Sequence, residues 1–234
     1  MNTIHPSSVI SEDVQIGENN IIGPFSYIYP DVQLGDNNWI GSHVVIGAPP
    51  EMKNGSHAIG WDHSFSPVNG DDSSGVTIGN DNKIREFSTI HSGTVRRTTV
   101  GHRNFFLRNT HLGHDCIVES DVTIAGNTVL GGHVTLQDFA NVGLSSVVHQ
   151  FVTIGAGAMI GMASAIRKDI DPFTICVGNP ARVTGVNRVG LSRQGLSESE
   201  IDQLALWMSG NSIFPSSVPN EIRSYFERKA NEQQ

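Results

Sequence analysis

The chain has 234 residues, 38% of them hydrophobic and 16% charged, with a net charge of -8 at pH 7. That length allows one or two ordinary domains, and the acidic balance argues against a general nucleic-acid binder. No secretory leader or run of 18 apolar residues is read from it, and Cys116 and Cys176 fit neither a disulfide framework nor a zinc pattern. A cytoplasmic protein without a transmembrane segment is expected.

Aliphatic residues recur every six positions from the start: Ile4, Ile10, Ile16, Ile22, Ile28, Leu34, Ile40 and Ile46. A helix would show a period of 3.6 and a half-buried strand a period of 2, so six is a repeat unit. Asn and Asp cluster between these positions (Asn19, Asn20, Asp36, Asn37, Asn38), where tight left-handed turns would use them. From about 48 to 77 the frame breaks. This stretch contains Pro49, Pro50, Trp61, Phe65, Pro67 and the polar run Asn69 to Ser74, and reads as a long excursion from a coil.

The frame returns at Ile78, Ile84 and Ile90, slips by four residues over about 92–99, and then holds for twelve positions from Val100 to Ile166. Such a hexapeptide repeat predicts a parallel β-helix, an all-β solenoid in which three hexapeptides make a coil and positions 18 apart stack. The repeat is expected to end near Asp169, with Pro172 stopping it and Gly178 to Arg182 making a turn. Residues 1–190 are then the solenoid, and 191–234 a small helical appendage. In the appendage, Ser197-Glu198-Ser199-Glu200 caps an amphipathic helix carrying Ile201, Leu204, Ala205 and Met208, which Gly210 closes. A second helix runs from Pro219 to about Lys229.

Ten histidines are unusual for this length, and several lie close to the repeat frame. Stacking at 18 residues places His149 above Gly131 and Gly113, with His91 a coil lower once the four-residue slip is discounted. It also places His114 beneath Gly132, with His111 three residues before it and His133 beside that glycine. A histidine cluster along one edge follows, with glycines that let a ligand approach the backbone. His114 could deprotonate a hydroxyl near neutral pH. No metal-ligand spacing is present, so no metal is expected. Turn histidines bonded to backbone carbonyls remain an alternative. Six basic residues between Lys83 and Arg108, and five between Arg167 and Arg193, would favour an anionic partner if coiling brought them into one band.

Several segments carry a family resemblance: Ile84-Arg85-Glu86, Thr89 to Thr94, Asn109 to Cys116, Leu130 to His133, Val148 to Phe151, and Gly185-Val186-Asn187 with Gly190-Leu191. The chain resembles the UDP-N-acetylglucosamine acyltransferases that begin lipid A synthesis, within the hexapeptide-repeat acyltransferases. The resemblance implies a left-handed parallel β-helix and a homotrimer with active sites between subunits. It implies transfer of a (3-hydroxy)acyl group from acyl carrier protein to the sugar 3-hydroxyl of UDP-N-acetylglucosamine or a related nucleotide sugar, with no cofactor beyond the donor. It further implies His114 as general base, Asp115 as its orienting partner and the Gly132 N–H as oxyanion donor. His91, His111, His133, His149 and Gln150 would line the cleft, with Glu51 and Lys53 reaching it from the first excursion. Asn187 and Arg193 would handle the nucleotide and phosphopantetheine ends, and Met162 would shorten the acyl groove. Val189 and Gln194 depart from the family's acidic and basic residues, and Pro180 is closer to the acetyl-coenzyme A branch. The alternatives are an acetyl-coenzyme A-dependent sugar acetyltransferase, a zinc enzyme using His91, His111 and His114, and an inactive trimeric scaffold.

Overall fold

A computed structural model describes residues 1–51, 53 and 74–232. The chain winds into a parallel β-helix. Short strands, most of them two residues long, stack into three sheets of ten, eight and seven strands among the described residues. Coils pair at a spacing of 18, as in Thr3 with Ile21 and Ile117 with Thr135. The two slips in the frame lie between coils that keep their register: Asn38 and Asn82 stack 44 residues apart, and Lys83 and Phe105 stack 22 apart. Trp61, Phe65 and most of the first excursion lie outside the described residues. The described chain leaves its sheet at Ala48 and is back in strand at Val76.

The frame residues form the core. Ile22, Ile40, Ile84, Phe106, Ile124, Val142 and Ile160 stack along the first sheet, all at most 1% exposed. Each such side chain contributes roughly 1.5–3 kcal/mol on burial.

The corners are held by hydrogen-bonded ladders. Asn20, Asn38, Asn82 and Asn104 are buried, although Asn20 and Asn38 were expected at turns. Each side-chain oxygen accepts a backbone N–H from the next coil, ending at Val122 N. Each amide NH2 donates to a carbonyl at the corner before the next rung, such as Gly79 O and Glu119 O. The left-handed corner positions are Asn19 and Asn37, as expected, together with Asp81, at φ of 56° to 61°. Phe25, Phe87, Phe139, Phe151 and Phe173 occupy the same kind of corner at positive φ, where a side chain is disfavoured by roughly 1–2 kcal/mol.

Pro172 does not stop the solenoid. Ile154 bridges to Ile170, and Thr174–Val177 continues the first sheet with Ile160 opposite Cys176. The spacing falls to 16, and Pro172 occupies a corner, where no ladder N–H is needed. An antiparallel strand, Arg182–Val186, then folds back on Thr174–Val177 through the Gly178–Ala181 turn. Three helices follow: α1 (Arg188–Arg193), α2 (Glu198–Met208) and α3 (Asn220–Glu232). Ser197 and Glu200 form the expected capping box. Leu191, Ile201, Leu204, Ile222 and Tyr225 make a second apolar cluster over Phe173. The helices are tied to the coil by Tyr225 Oη, which donates to Asp138 at 3.2 Å.

The buried ladder has a measurable consequence. Asn104→Ala strands Val122 N–H and Glu119 C=O, and is expected to cost about 2–4 kcal/mol in denaturant unfolding; a loss below about 0.5 kcal/mol would show that the ladder is not stabilising.

Candidate functional site

Strand register assembles the site along the corner that follows the second sheet. Thr89 pairs with His111 and Ile90 with Leu112, which places His91 level with Gly113. Leu112, Leu130 and Val148 stack above, so Gly113, Gly131 and His149 share one column, and His114, Gly132 and Gln150 the next. A Cβ on Gly132 would lie 2.8 Å from both Cε1 and Nε2 of His114, and one on Gly113 would lie 2.8 Å from Gly132 N. Glycine at 132 therefore leaves the imidazole its place. Among the described residues no acceptor takes the Gly132 N–H.

The second interruption, 92–99, wraps Asp115. Its carboxylate is fully buried. Oδ1 accepts the backbone N–H groups of Thr94, Val95 and Arg96, each at 2.9 Å, and Oδ2 accepts the Thr94 hydroxyl at 2.6 Å. The Asp115 N–H donates to Thr98 Oγ1, and Arg96 Nε donates to Asp115 O at 2.7 Å. Burial pushes the Asp115 carboxyl up. The Thr94 hydroxyl, His114 and the Thr94 and Arg96 amides outweigh it and hold the carboxyl well below the usual carboxylate range. An ionised carboxylate only accepts hydrogen bonds, so the 2.5 Å contact with His114 must be a donation from Nδ1–H. The basic lone pair of His114 then sits on Nε2.

His133 stands edge-on to His114, ring centroids 5.0 Å apart, and stacks on Phe151 at 4.4 Å. Its Nε2 lies 3.6 Å from Asp115 Oδ2, too far for a hydrogen bond. Burial, with His114 and Arg96 nearby, lowers its pKa against the opposing pull of Asp115.

A second group forms one coil lower. His91 and His111 rings meet edge-on at 5.0 Å, and His111 Nε2 lies 3.5 Å from Glu51 Oε2. Burial, and then His91, lower the His111 pKa against an opposing pull from Glu51. Lys53 is exposed two residues farther on. His149 and Gln150 are exposed at the top, with His149 Nδ1 donating to Gln150 O at 3.1 Å.

Not every expected residue gathers here. Asn187 caps α1: its Oδ1 accepts from Gly190 N at 3.0 Å, and its Nδ2 donates to Gly157 O at 2.8 Å, at a different corner. Arg193 is exposed in the last turn of α1. Met162, 72% exposed, stands one coil above Leu144, itself 47% exposed, at the corner before the second sheet. His91, His111 and His114 do not converge on one point; His114 belongs to the Asp115 group instead.

The basic residues make no single band. Arg85 pairs with Glu86, Arg97 with Asp31, Arg103 with Asp121 and Arg188 with Glu198. Arg167, Lys168 and Arg182 instead line a cavity of about 580 Å³ at the end of the coil. Arg167 and Lys168 continue the His149 and Gln150 columns. Sequence reading missed the Thr94–Arg96 cradle; the slip in the frame between Ile90 and Val100 was its signal.

Because the folded Asp115 pKa is depressed, its contribution to stability is fully present above the unfolded value of about 3.9 and is lost as pH falls towards the folded one. Asp115→Asn is expected to lower stability by about 2–4 kcal/mol at pH 7. Denaturant midpoints of the two proteins should converge as pH drops below about 4; a gap independent of pH would contradict an ionised Asp115.

The chain is similar to known proteins in sequence and fold. The bacterial transferase hexapeptide (six repeats) family matches residues 13–48, and the second domain of the UDP-N-acetylglucosamine O-acyltransferase family matches residues 169–208. A Burkholderia orbicola acyl-[acyl-carrier-protein]–UDP-N-acetylglucosamine O-acyltransferase is 47% identical over 137 residues, covering 57% of this chain and 52% of that protein. The chain thus spans about half the length of the curated relatives it matches. The UDP-N-acetylglucosamine acyltransferase of Campylobacter jejuni superposes with a TM-score of 0.73 at 31% identity, over 99% of this chain and 91% of that one. An Acinetobacter baumannii structure of the same family gives 0.68 at 32% identity, with the same coverage. The chain belongs to the UDP-N-acetylglucosamine acyltransferase family.

Proposed function

We propose that the protein transfers an acyl group from acyl carrier protein to the 3-hydroxyl of UDP-N-acetylglucosamine or a closely related nucleotide sugar. The observation that carries this reading is the Thr94–Arg96 cradle around Asp115, which leaves His114 Nε2 basic and facing the free Gly132 N–H column. His114 Nε2 takes the proton of the sugar hydroxyl as its oxygen attacks the thioester carbonyl. The negative charge that develops on the carbonyl oxygen falls to the Gly132 N–H, a fixed donor that need not reorganise. Collapse breaks the C–S bond, and the imidazolium returns its proton to the departing thiolate. The ionised Asp115 stabilises that imidazolium throughout.

His91, His111, His133, His149 and Gln150, with Glu51 and Lys53, are assigned to the acceptor and the acyl arm. Arg167, Lys168 and Arg182 suit the phosphate of a pantetheine arm or an acidic carrier. Val129 and Val147 project outward beside His111 on the second sheet and are exposed. They suit the subunit contact of a homotrimer, in which Asn187 and Arg193 would reach a neighbouring site. Met162, above Leu144, is assigned to the end of the acyl groove of the assembled protein, where its bulk would favour a short donor. No helix among the described residues is long and apolar enough to cross a membrane, and a cytoplasmic carrier-protein donor fits that.

The test is an assay of UDP-sugars against 3-hydroxyacyl carrier proteins of graded length and against acetyl-coenzyme A. Transfer from a short acyl carrier protein to UDP-N-acetylglucosamine is expected, falling about 10²–10⁴-fold in His114→Ala. Transfer from acetyl-coenzyme A alone would move the protein to the acetyltransferase branch, and full activity in His114→Ala would overturn the mechanism.

A further inference from the structure

Two groups along this edge each bring three potential metal ligands within 4.8 Å of one another: Glu51 with His91 and His111, and His114 with Asp115 and His133. They are not equivalent. Asp115 already accepts five hydrogen bonds, and His114 has committed Nδ1 to it, so that carboxylate has little left to offer a cation. The Glu51 side chain is 67% exposed, and its one recorded contact among the described residues is the 3.5 Å approach of His111 Nε2 to Oε2.

The histidines of the first group are set as metal-binding histidines usually are, with the far ring nitrogen held by a hydrogen bond. His91 Nδ1 donates to Pro49 O at 2.8 Å, which leaves the lone pair of the neutral ring on Nε2. His111 Nδ1 lies 2.8 Å from Thr89 Oγ1, and its Nε2 faces Glu51. Ligand atoms about a tetrahedral zinc ion lie about 3.3 Å apart, from metal–ligand bonds of about 2.0–2.1 Å. The separation of 3.5 Å between His111 Nε2 and Glu51 Oε2 already approaches this.

We propose that Glu51, His91 and His111 bind a divalent transition-metal ion, Zn²⁺ above all, and that its occupancy blocks the acceptor subsite. Two imidazoles and one carboxylate select zinc over magnesium or calcium, which prefer oxygen ligands. The ion leaves one coordination position open and displaces the hydroxyls or diphosphate that would otherwise meet these side chains. The blocking half rests on the function proposed above; the binding half does not.

The experiment uses the full chain stripped with a chelator. Zn²⁺ is titrated calorimetrically, and Co²⁺ is followed by its visible absorption, without substrate. One saturable site per chain and an intense tetrahedral Co²⁺ band are expected. Affinity should fall at least about 100-fold in His111→Ala and about 10-fold in Thr89→Val, which only removes the partner of Nδ1. His133→Ala, in the other group, should bind as the parent does. Absence of saturable binding, or binding lost in His133→Ala and kept in His111→Ala, overturns the site. In kinetics, Zn²⁺ should raise the apparent KM for the nucleotide sugar and a chelator should restore it. Binding without that competition overturns the blocking role, while a protein inactive towards every acyl donor refutes the functional reading and leaves the binding result standing.

Discussion

Every coil must return to the register of the one before it, and the remaining features follow from that constraint. Two-residue strands offer few hydrogen bonds each, so cohesion comes from stacking identical positions: an aliphatic column inside and side-chain ladders at the corners. The constraint applies between coils and leaves the length of the connection free. Spacings of 18, 22, 44 and 16 residues are all accommodated, because each extra segment leaves and re-enters at a corner. Loop-closure entropy grows only slowly with length, so such excursions are tolerated thermodynamically.

The candidate site is built where one of these slips occurs. Four additional residues between Ile90 and Val100 turn Thr94, Val95 and Arg96 so that three amides point at one carboxylate oxygen. A buried charge without partners would be strongly destabilising, whereas five acceptor contacts keep Asp115 ionised at the foot of His114. Gly93 is required in the same turn, since a Cβ there would collide with the Arg96 carbonyl. Glycines in two adjacent columns complete the geometry: Gly113 and Gly132 leave open the space in which an acyl carbonyl could meet both Nε2 and a backbone donor. Catalysis in this account comes from positions fixed before any substrate arrives.

Most of this architecture was legible in the sequence, for an identifiable reason. A six-residue period over more than twenty positions specifies the stacking, and stacking fixed which residues share an edge: His149 over Gly131, and Gly132 over His114. What could not be read depends on atoms outside the period. Asn20 and Asn38 look like turn residues by type, and only the register shows them as buried rungs. Pro172 reads as a stop, yet a shortened coil places it at a corner that needs no N–H. The antiparallel Arg182–Val186 strand lacks alternation because it lies exposed over the end of the coil. Asn187 caps α1 through Gly190, and its second bond, from Nδ2 to Gly157 O thirty residues earlier, could not be read from its neighbours in sequence. The basic residues mislead because a charge count does not show that Arg97 and Arg103 already have carboxylate partners.

The proposed chemistry depends most on which nitrogen of a single ring carries the hydrogen. Asp115, held ionised by the 92–99 turn, must accept a hydrogen bond from His114 Nδ1–H and leave Nε2 as the base. Nitrogen-15 NMR of histidine-labelled protein, with His114 assigned by substitution, reads this directly. The expected result is that the neutral ring of His114 carries its hydrogen on Nδ1, a tautomer lost when Asp115→Asn removes the ionised acceptor. A His114 ring protonated on Nε2 with a bare Nδ1 would contradict the account, since Nε2 could not then accept the sugar proton.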